Sequence, residues 1–139
     1  MIFGIGTDIA QISRFEKAYQ KRGDRFANAI LTPNEFATFT RRHTKVPARG
    51  YRFLATRFAA KEAFSKACGL GIRMPMHWHN VQVENAPSGT PTVRGLGAMA
   101  TWLAAQGEQG LTAHLSISDE ADYCVAYVVL EYKVDKNYE

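Results

Sequence analysis

The sequence predicts a single domain of mixed helices and strands built around one long helix, and three observations carry that expectation. The first is an alanine-rich run, RFAAKEAFSKAC at 57–68, with no proline or glycine inside it and Gly69 directly after it. Alanine and straight-chain residues propagate a helix, and a glycine past the last turn stops one. The second is the opening segment 1–12, where Ile2, Phe3, Ile5, Ile9 and Ile12 give a buried strand pattern. The third is YCVAYVVLEY at 123–132, the strongest strand signal in the chain. It follows an alternating segment at 114–118 and a tight acidic connection at 119–122, so the two runs predict a hairpin. The expected division is one domain over 1–132 and a polar tail at 133–139, and 139 residues suffice for a real core.

The remaining elements follow in order. Gly4 and Gly6 interrupt the first strand, which marks a bulge or the close approach of a ligand. Ser13 and Glu16 fit a capping box, with Ser13 at the N-cap of a short helix. That helix carries Arg14, Lys17, Lys21 and Arg22, with Arg25 and Phe26 just beyond it. Thr32, Pro33 and Glu35 make a second helix start. The polar and basic stretch 41–50 reads as a loop, and the long helix is expected from about 52 to 68. Residues 70–79 connect to a strand through Val81 and Val83, with Trp78 as its possible first residue. A turn at 87–91 leads to a returning strand at Thr92 and Val93, and a short amphipathic helix spans 97–106.

Composition narrows the function classes. Hydrophobic residues make up 46% and charged residues 22%, as in ordinary globular proteins. The net charge of +4 suits an acidic partner without identifying it. Cys68 and Cys124 fall in apolar patterns without metal-ligand spacing, and read as reduced core thiols of a cytoplasmic protein. The N-terminus shows no basic leader, and no run approaches membrane-spanning length. There is no P-loop, GxSxG elbow or HExxH motif, and Gly4-Ile5-Gly6 lacks the third glycine of a dinucleotide fingerprint. Nothing matches a DNA-recognition helix, so neither nucleic acid nor membrane is expected as a partner.

Two carboxylates stand out. Asp8 lies inside an apolar strand pattern, as a turn residue or as a buried carboxylate held for a cation. Glu62 and Lys66 continue the helical stripe that Leu54 and Phe58 begin. They are either an i,i+4 pair on a solvated face or charges placed in the stripe for a purpose. His77 and His79 flank Trp78, but a His-x-His pair without a third ligand is a weak metal signal.

Three stretches then stand together: Gly4-Ile5-Gly6-Thr7-Asp8-Ile9, Arg57-Phe58-Ala59-Ala60-Lys61-Glu62-Ala63, and His114-Leu115-Ser116-Ile117-Ser118-Asp119-Glu120. In this order and spacing, from Met1 to about Tyr132, the chain resembles the small single-domain class of 4'-phosphopantetheinyl transferases, the holo-acyl-carrier-protein synthases. The basic stretch 42–49 and the tail after Tyr132 depart from that pattern. The resemblance implies an α+β fold, with an antiparallel sheet packed around the long central helix. It implies a homotrimer with active sites at the subunit interfaces. The implied reaction moves 4'-phosphopantetheine from coenzyme A to a serine of apo-acyl carrier protein, with magnesium as cofactor, and serves fatty acid biosynthesis. Asp8 and Glu62 match the family's metal-binding and catalytic positions. Arg57, Lys61, Lys66, Gly69, Gly71 and His114 are expected at coenzyme A, Lys61 with the alternative of the helix surface or another subunit. Arg14, Lys17, Lys21, Arg22, Arg25 and Phe26 are expected to meet the acidic carrier protein. The rival reading is a basic, non-enzymatic RNA-binding module, which accounts for the charge but not for two carboxylates in apolar settings.

Overall fold

The computed structural model describes residues 1–134, so all of the tail except Lys133 and Val134 lies outside the described residues. Strand β1 (Ile2–Gln11) leads into α1 (Ile12–Arg22), α2 (Asp24–Ile30), α3 (Pro33–Lys45) and the long α4 (Pro47–Cys68). A 3-10 turn (Trp78–Asn80) precedes β2 (Val81–Asn85) and β3 (Pro91–Gly95). Helix α5 (Ala98–Ala104), β4 (Leu111–Asp119) and β5 (Tyr123–Tyr132) complete the chain. The fold is α+β. One antiparallel sheet has the order β1-β5-β4, and β2 and β3 form a separate two-stranded sheet.

Helix α4 is the centre of the molecule. Its buried positions run round the whole helix, from Phe53 and Leu54 to Ala67 and Cys68, because other elements pack on several sides of it. The three-stranded sheet covers one side with Ala10, Cys124, Ala126, Val128 and Leu130. Gly4 and Gly6 make the contact close. A Cβ on either would collide with the main-chain carbonyl oxygens of Ala67 and Ala63. The glycines of β1 thus admit a helix backbone rather than a ligand. The ladder also shifts register between Ile2 and Gly4, the irregularity that a strand glycine signals.

Several local expectations are corrected. The stretch 41–50 is not a loop: α3 runs to Lys45, and α4 begins at Pro47, with only Val46 between them. Val46 is extended, as steric contact with a following proline demands, and Pro47 occupies the first helical turn, where its missing N–H costs nothing. Ser13 does not cap α1. The chain passes from the β1–β5 ladder straight into the helix at Ile12, whose N–H donates to Asp122 O at 2.9 Å. Gly23 ends α1 and puts Arg25 and Phe26 on a helix of their own. Trp78 sits in the 3-10 turn rather than in a strand. The Thr32–Glu35 capping box forms as expected, and β5 coincides with 123–132.

Candidate active site

The packing that brings β1 onto α4 also brings together two carboxylates. Gly4 faces Ala67 and Gly6 faces Ala63, so two strand residues correspond to one helical turn. Two residues of strand span about 6.8 Å and a turn of helix about 5.4 Å, so the match is close over this distance. The next inward-facing residue, Asp8, therefore reaches the turn that carries Glu62. Asp8 is largely buried, with 18% of its side chain exposed. Lys66 Nζ donates to Thr7 O at 2.9 Å and to Asp8 Oδ1 at 3.1 Å, which ties the strand to the helix. Glu62 lies one turn before Lys66 on the same stripe. Its carboxyl is pushed above the usual range by burial first and by the Asp8 charge second, with Lys66 opposing. Two carboxylates and one ammonium leave a net negative charge in a partly dry corner.

Arg57 points elsewhere. It precedes Glu62 by five residues, about 140° around the helix. Its guanidinium lies 4.2 Å from the Phe53 ring centroid and donates to Asn85 Oδ1 at 2.7 Å and to Thr56 Oγ1 at 3.2 Å. Its Nε is buried and has no partner among the described residues. Burial, and next the Arg42 charge, lower its pKa to about 10, with Glu35 opposing. Two adjoining cavities, of about 400 and 240 Å³, share Arg42, Phe53, Arg57 and Asn85 in their walls. Arg41 borders the first and Arg49 the second. The basic stretch 41–50, read as a loop, thus supplies part of an arginine-lined hollow. Arg42 and Asn85 were not singled out from sequence; the run of arginines was the available signal.

Lys61 corrects its expectation. It is 0% exposed, so it does not lie on the helix surface. Its three N–H groups are all used, by Ile30 O at 2.8 Å, Glu35 Oε1 at 2.6 Å and Trp78 O at 2.8 Å. Glu35 in turn accepts from Thr32 N and Val83 N. Lys61 is a structural ion pair between α4, α3 and β2. Gly69, at φ 77°, is the left-handed cap of α4, and Gly71 N donates to Ser65 O at 3.2 Å at the same helix end. A Cβ at either glycine would meet nothing within 4 Å. His114 is exposed on β4, 3.2 Å from Glu131 Oε1, and lies on the sheet face turned away from α4. The structure therefore groups Asp8, Glu62 and Lys66, and leaves Arg57 and His114 on other faces.

Arg14, Lys17, Lys21, Arg22 and Arg25 are all exposed along α1 and α2, and none joins a salt bridge among the described residues. Lys21, Arg22, Arg25, Phe26 and Ala29 line a hollow of about 590 Å³ between the two helices. Cations without local partners, beside a half-buried aromatic ring, form a basic face with an apolar floor.

A family model described as the 4'-phosphopantetheinyl transferase superfamily matches residues 4–128. The chain belongs to that superfamily. The holo-[acyl-carrier-protein] synthase of Herminiimonas arsenicoxydans is 56% identical, over 96% of this chain and 100% of its own. Among solved structures, the holo-[acyl-carrier-protein] synthase of Neisseria meningitidis is similar with a TM-score of 0.85 and 40% identity, covering 95% of this chain and 100% of that one. The Bacillus anthracis holo-(acyl-carrier-protein) synthase, solved in complex with CoA (3',5'-ADP), gives a TM-score of 0.78 and 36% identity over 96% and 99%. The likeness spans this superfamily member from β1 to β5, so it includes the strand and helix that carry Asp8, Glu62 and Lys66.

Proposed function

We infer that this chain transfers 4'-phosphopantetheine from coenzyme A to a serine hydroxyl of an apo-acyl carrier protein. The carrying observation is the Asp8–Glu62–Lys66 group at the junction of β1 and α4. In the reaction, the serine oxygen bonds to the β-phosphorus of coenzyme A. The bond from that phosphorus to the oxygen bridging the two phosphates breaks, and adenosine 3',5'-bisphosphate leaves with the electron pair. The serine proton passes to solvent.

The donor set fits magnesium. Among the described residues no group of three or more His, Cys, Asp or Glu surrounds a common point. Magnesium takes one or two carboxylates and fills its octahedron with water and phosphate oxygens, so Asp8 and Glu62 suffice to hold it. When bound, magnesium offsets charge on the diphosphate and on the leaving group. Lys66, half exposed beside Asp8, supplies a further positive charge at that position. Arg57 and its neighbours suit another phosphate of the coenzyme, because an anion there would partner the buried Nε.

The basic face of α1 and α2 is the docking surface for the acidic carrier, where electrostatics speed encounter. The outer face of the three-stranded sheet exposes Ile5 (63%), Ile9 (65%) and Tyr127 (52%). Large apolar side chains exposed together on one sheet face suit an interface, and they support a homotrimer whose sites lie between subunits. No described helix is long and apolar enough to cross a membrane. A cytoplasmic location fits the two buried, unpaired cysteines. The deciding experiment incubates the protein with coenzyme A, magnesium and apo-carrier, and weighs the carrier by intact mass spectrometry. A carrier heavier by one phosphopantetheine, with the gain lost in excess chelator, is the expected result. Full transfer in chelator overturns the metal role, and no transfer overturns the activity.

A further inference from the structure

Helix α2 carries Arg25 and Phe26 of the proposed docking face, yet it has only seven residues. A helix so short is not stable alone, and the last carbonyls of any helix lack partners within it. Here two of those carbonyls are met by side chains from elsewhere in the molecule. Lys61 Nζ donates to Ile30 O at 2.8 Å, and His79 Nε2 lies 2.6 Å from Asn28 O. The two contacts differ in kind. Lys61 is fully buried and belongs to the frame of the molecule. His79 is exposed, and its ring makes no other hydrogen bond among the described residues. For Asn28 O to accept, Nε2 must carry a proton, which the neutral Nε2–H tautomer and the imidazolium both provide.

The turn that carries His79 also grips the docking face through aromatic packing. Trp78 stacks on Phe58 with centroids 5.1 Å apart. Phe58 meets Phe15 at 5.1 Å, and Phe15 meets Phe26 at 6.2 Å. The 78–80 turn thus touches α2 at its carbonyl end directly, and at Phe26 through a chain of rings.

We propose that His79 is a positioning residue for carrier docking: its ring caps Asn28 O and holds α2, with Arg25 and Phe26, in the orientation the carrier meets. This rests on the docking face proposed above. His79 touches neither the Asp8–Glu62 corner nor the arginine-lined hollow, so its loss acts on the carrier and not on coenzyme A.

The test uses His79→Ala and His79→Gln in the intact protein, with two readouts. The first is amide hydrogen exchange of residues 26–31, which needs no substrate. The net value of one hydrogen bond sets the expected change, so exchange in His79→Ala quickens about threefold to tenfold. The second is steady-state kinetics. The apparent KM for the carrier rises by a similar factor, while kcat and the KM for coenzyme A stay within about twofold. Glutamine, whose amide can donate in place of Nε2–H, restores most of both. Unchanged exchange in α2 overturns the cap. Faster exchange with an unchanged carrier KM overturns the docking role, and so does an equal rise in both KM values, which marks general loosening. Arg25→Glu serves as the control. If it too leaves the carrier KM unchanged, the docking face is wrong and the proposal falls with it, whereas a raised KM for Arg25→Glu alone refutes His79 specifically.

Discussion

At the scale of single residues, the site stores a conflict that magnesium would relieve. Glu62 is held above its ordinary pKa by burial and by Asp8, so without a metal its charged form costs the protein stability. The sign follows from the direction of the shift. A carboxyl with a raised folded pKa contributes stability at low pH and loses it as pH rises through the folded value. Glu62→Gln should therefore raise the melting temperature of the metal-free protein at neutral pH, and only slightly, because Glu62 is partly exposed and solvent screens the repulsion. The gain should vanish in acid, where Glu62 is protonated. The same variant, and Asp8→Asn, should lose turnover by more than about 100-fold, as removal of a group acting on reacting charge does. Melting curves at two pH values with a carrier mass assay check both halves; normal turnover in either variant returns that carboxylate to a structural role. Lys66 makes a narrower prediction. Its ammonium bonds Thr7 O and Asp8 Oδ1 and stays half exposed, so it can reach a phosphate. Lys66→Ala should raise the KM for coenzyme A more than that for the carrier, and the opposite ranking would place Lys66 at the carrier.

At the scale of elements, the molecule depends on how closely β1 and α4 approach. Gly6→Ala would drive a Cβ into the backbone carbonyl of Ala63, which no side-chain rotation relieves. Overpacking of this kind costs about 1–3 kcal/mol, read as a lower denaturant midpoint. Asp8 would shift with the strand, so turnover should fall as well; an unchanged midpoint would show that the contact is slack. On the opposite side of α4, Lys61→Met would leave Glu35 buried without its partner and should cost about 3–5 kcal/mol. These elements also show what was legible in the sequence. The alanine run, the capping box at Thr32 and the alternating residues of β5 depend on local propensity and periodicity, and each appears where it was expected. The Asp8–Glu62 pairing came from resemblance, since no spacing rule joins residues so far apart in the chain. Lys61 was misjudged because its neighbour Glu62 faces the sheet while Lys61, about 100° away, meets the buried Glu35 of α3. Only the tertiary fold brings that partner. The stretch 41–50 failed for another reason: its polarity suggested a loop, whereas Arg42 and Arg57 flank Phe53 along two packed helices.

At the scale of the whole molecule, a single coenzyme that met both proposed contact regions would have to span its width. Arg57 and the Asp8–Glu62 corner occupy different faces of α4, and the helix is buried on nearly every side. A ligand held by both within one chain would have to pass around that packed helix. Two chains joined through the outer sheet face, where Ile5, Ile9 and Tyr127 are exposed, would offer another route: one would supply Asp8, Glu62 and Lys66, and its neighbour would supply Arg57 and His114. This arrangement makes an unusual prediction about mixtures. Asp8→Asn and Arg57→Gln should each be nearly inactive alone. Co-refolded in equal amounts, they should recover about a quarter of wild-type activity, because about one interface in four of a closed ring pairs two intact halves. Light scattering would establish that the mixed protein is a trimer, and the carrier mass assay would read the recovery. If that face joins the chains, Ile9→Lys should place a charge on it, keep the subunits apart and abolish that recovery while leaving the monomer folded. If mixed trimers form but stay as inactive as their parents, each site lies within one chain, and the coenzyme must follow a path around α4 after all.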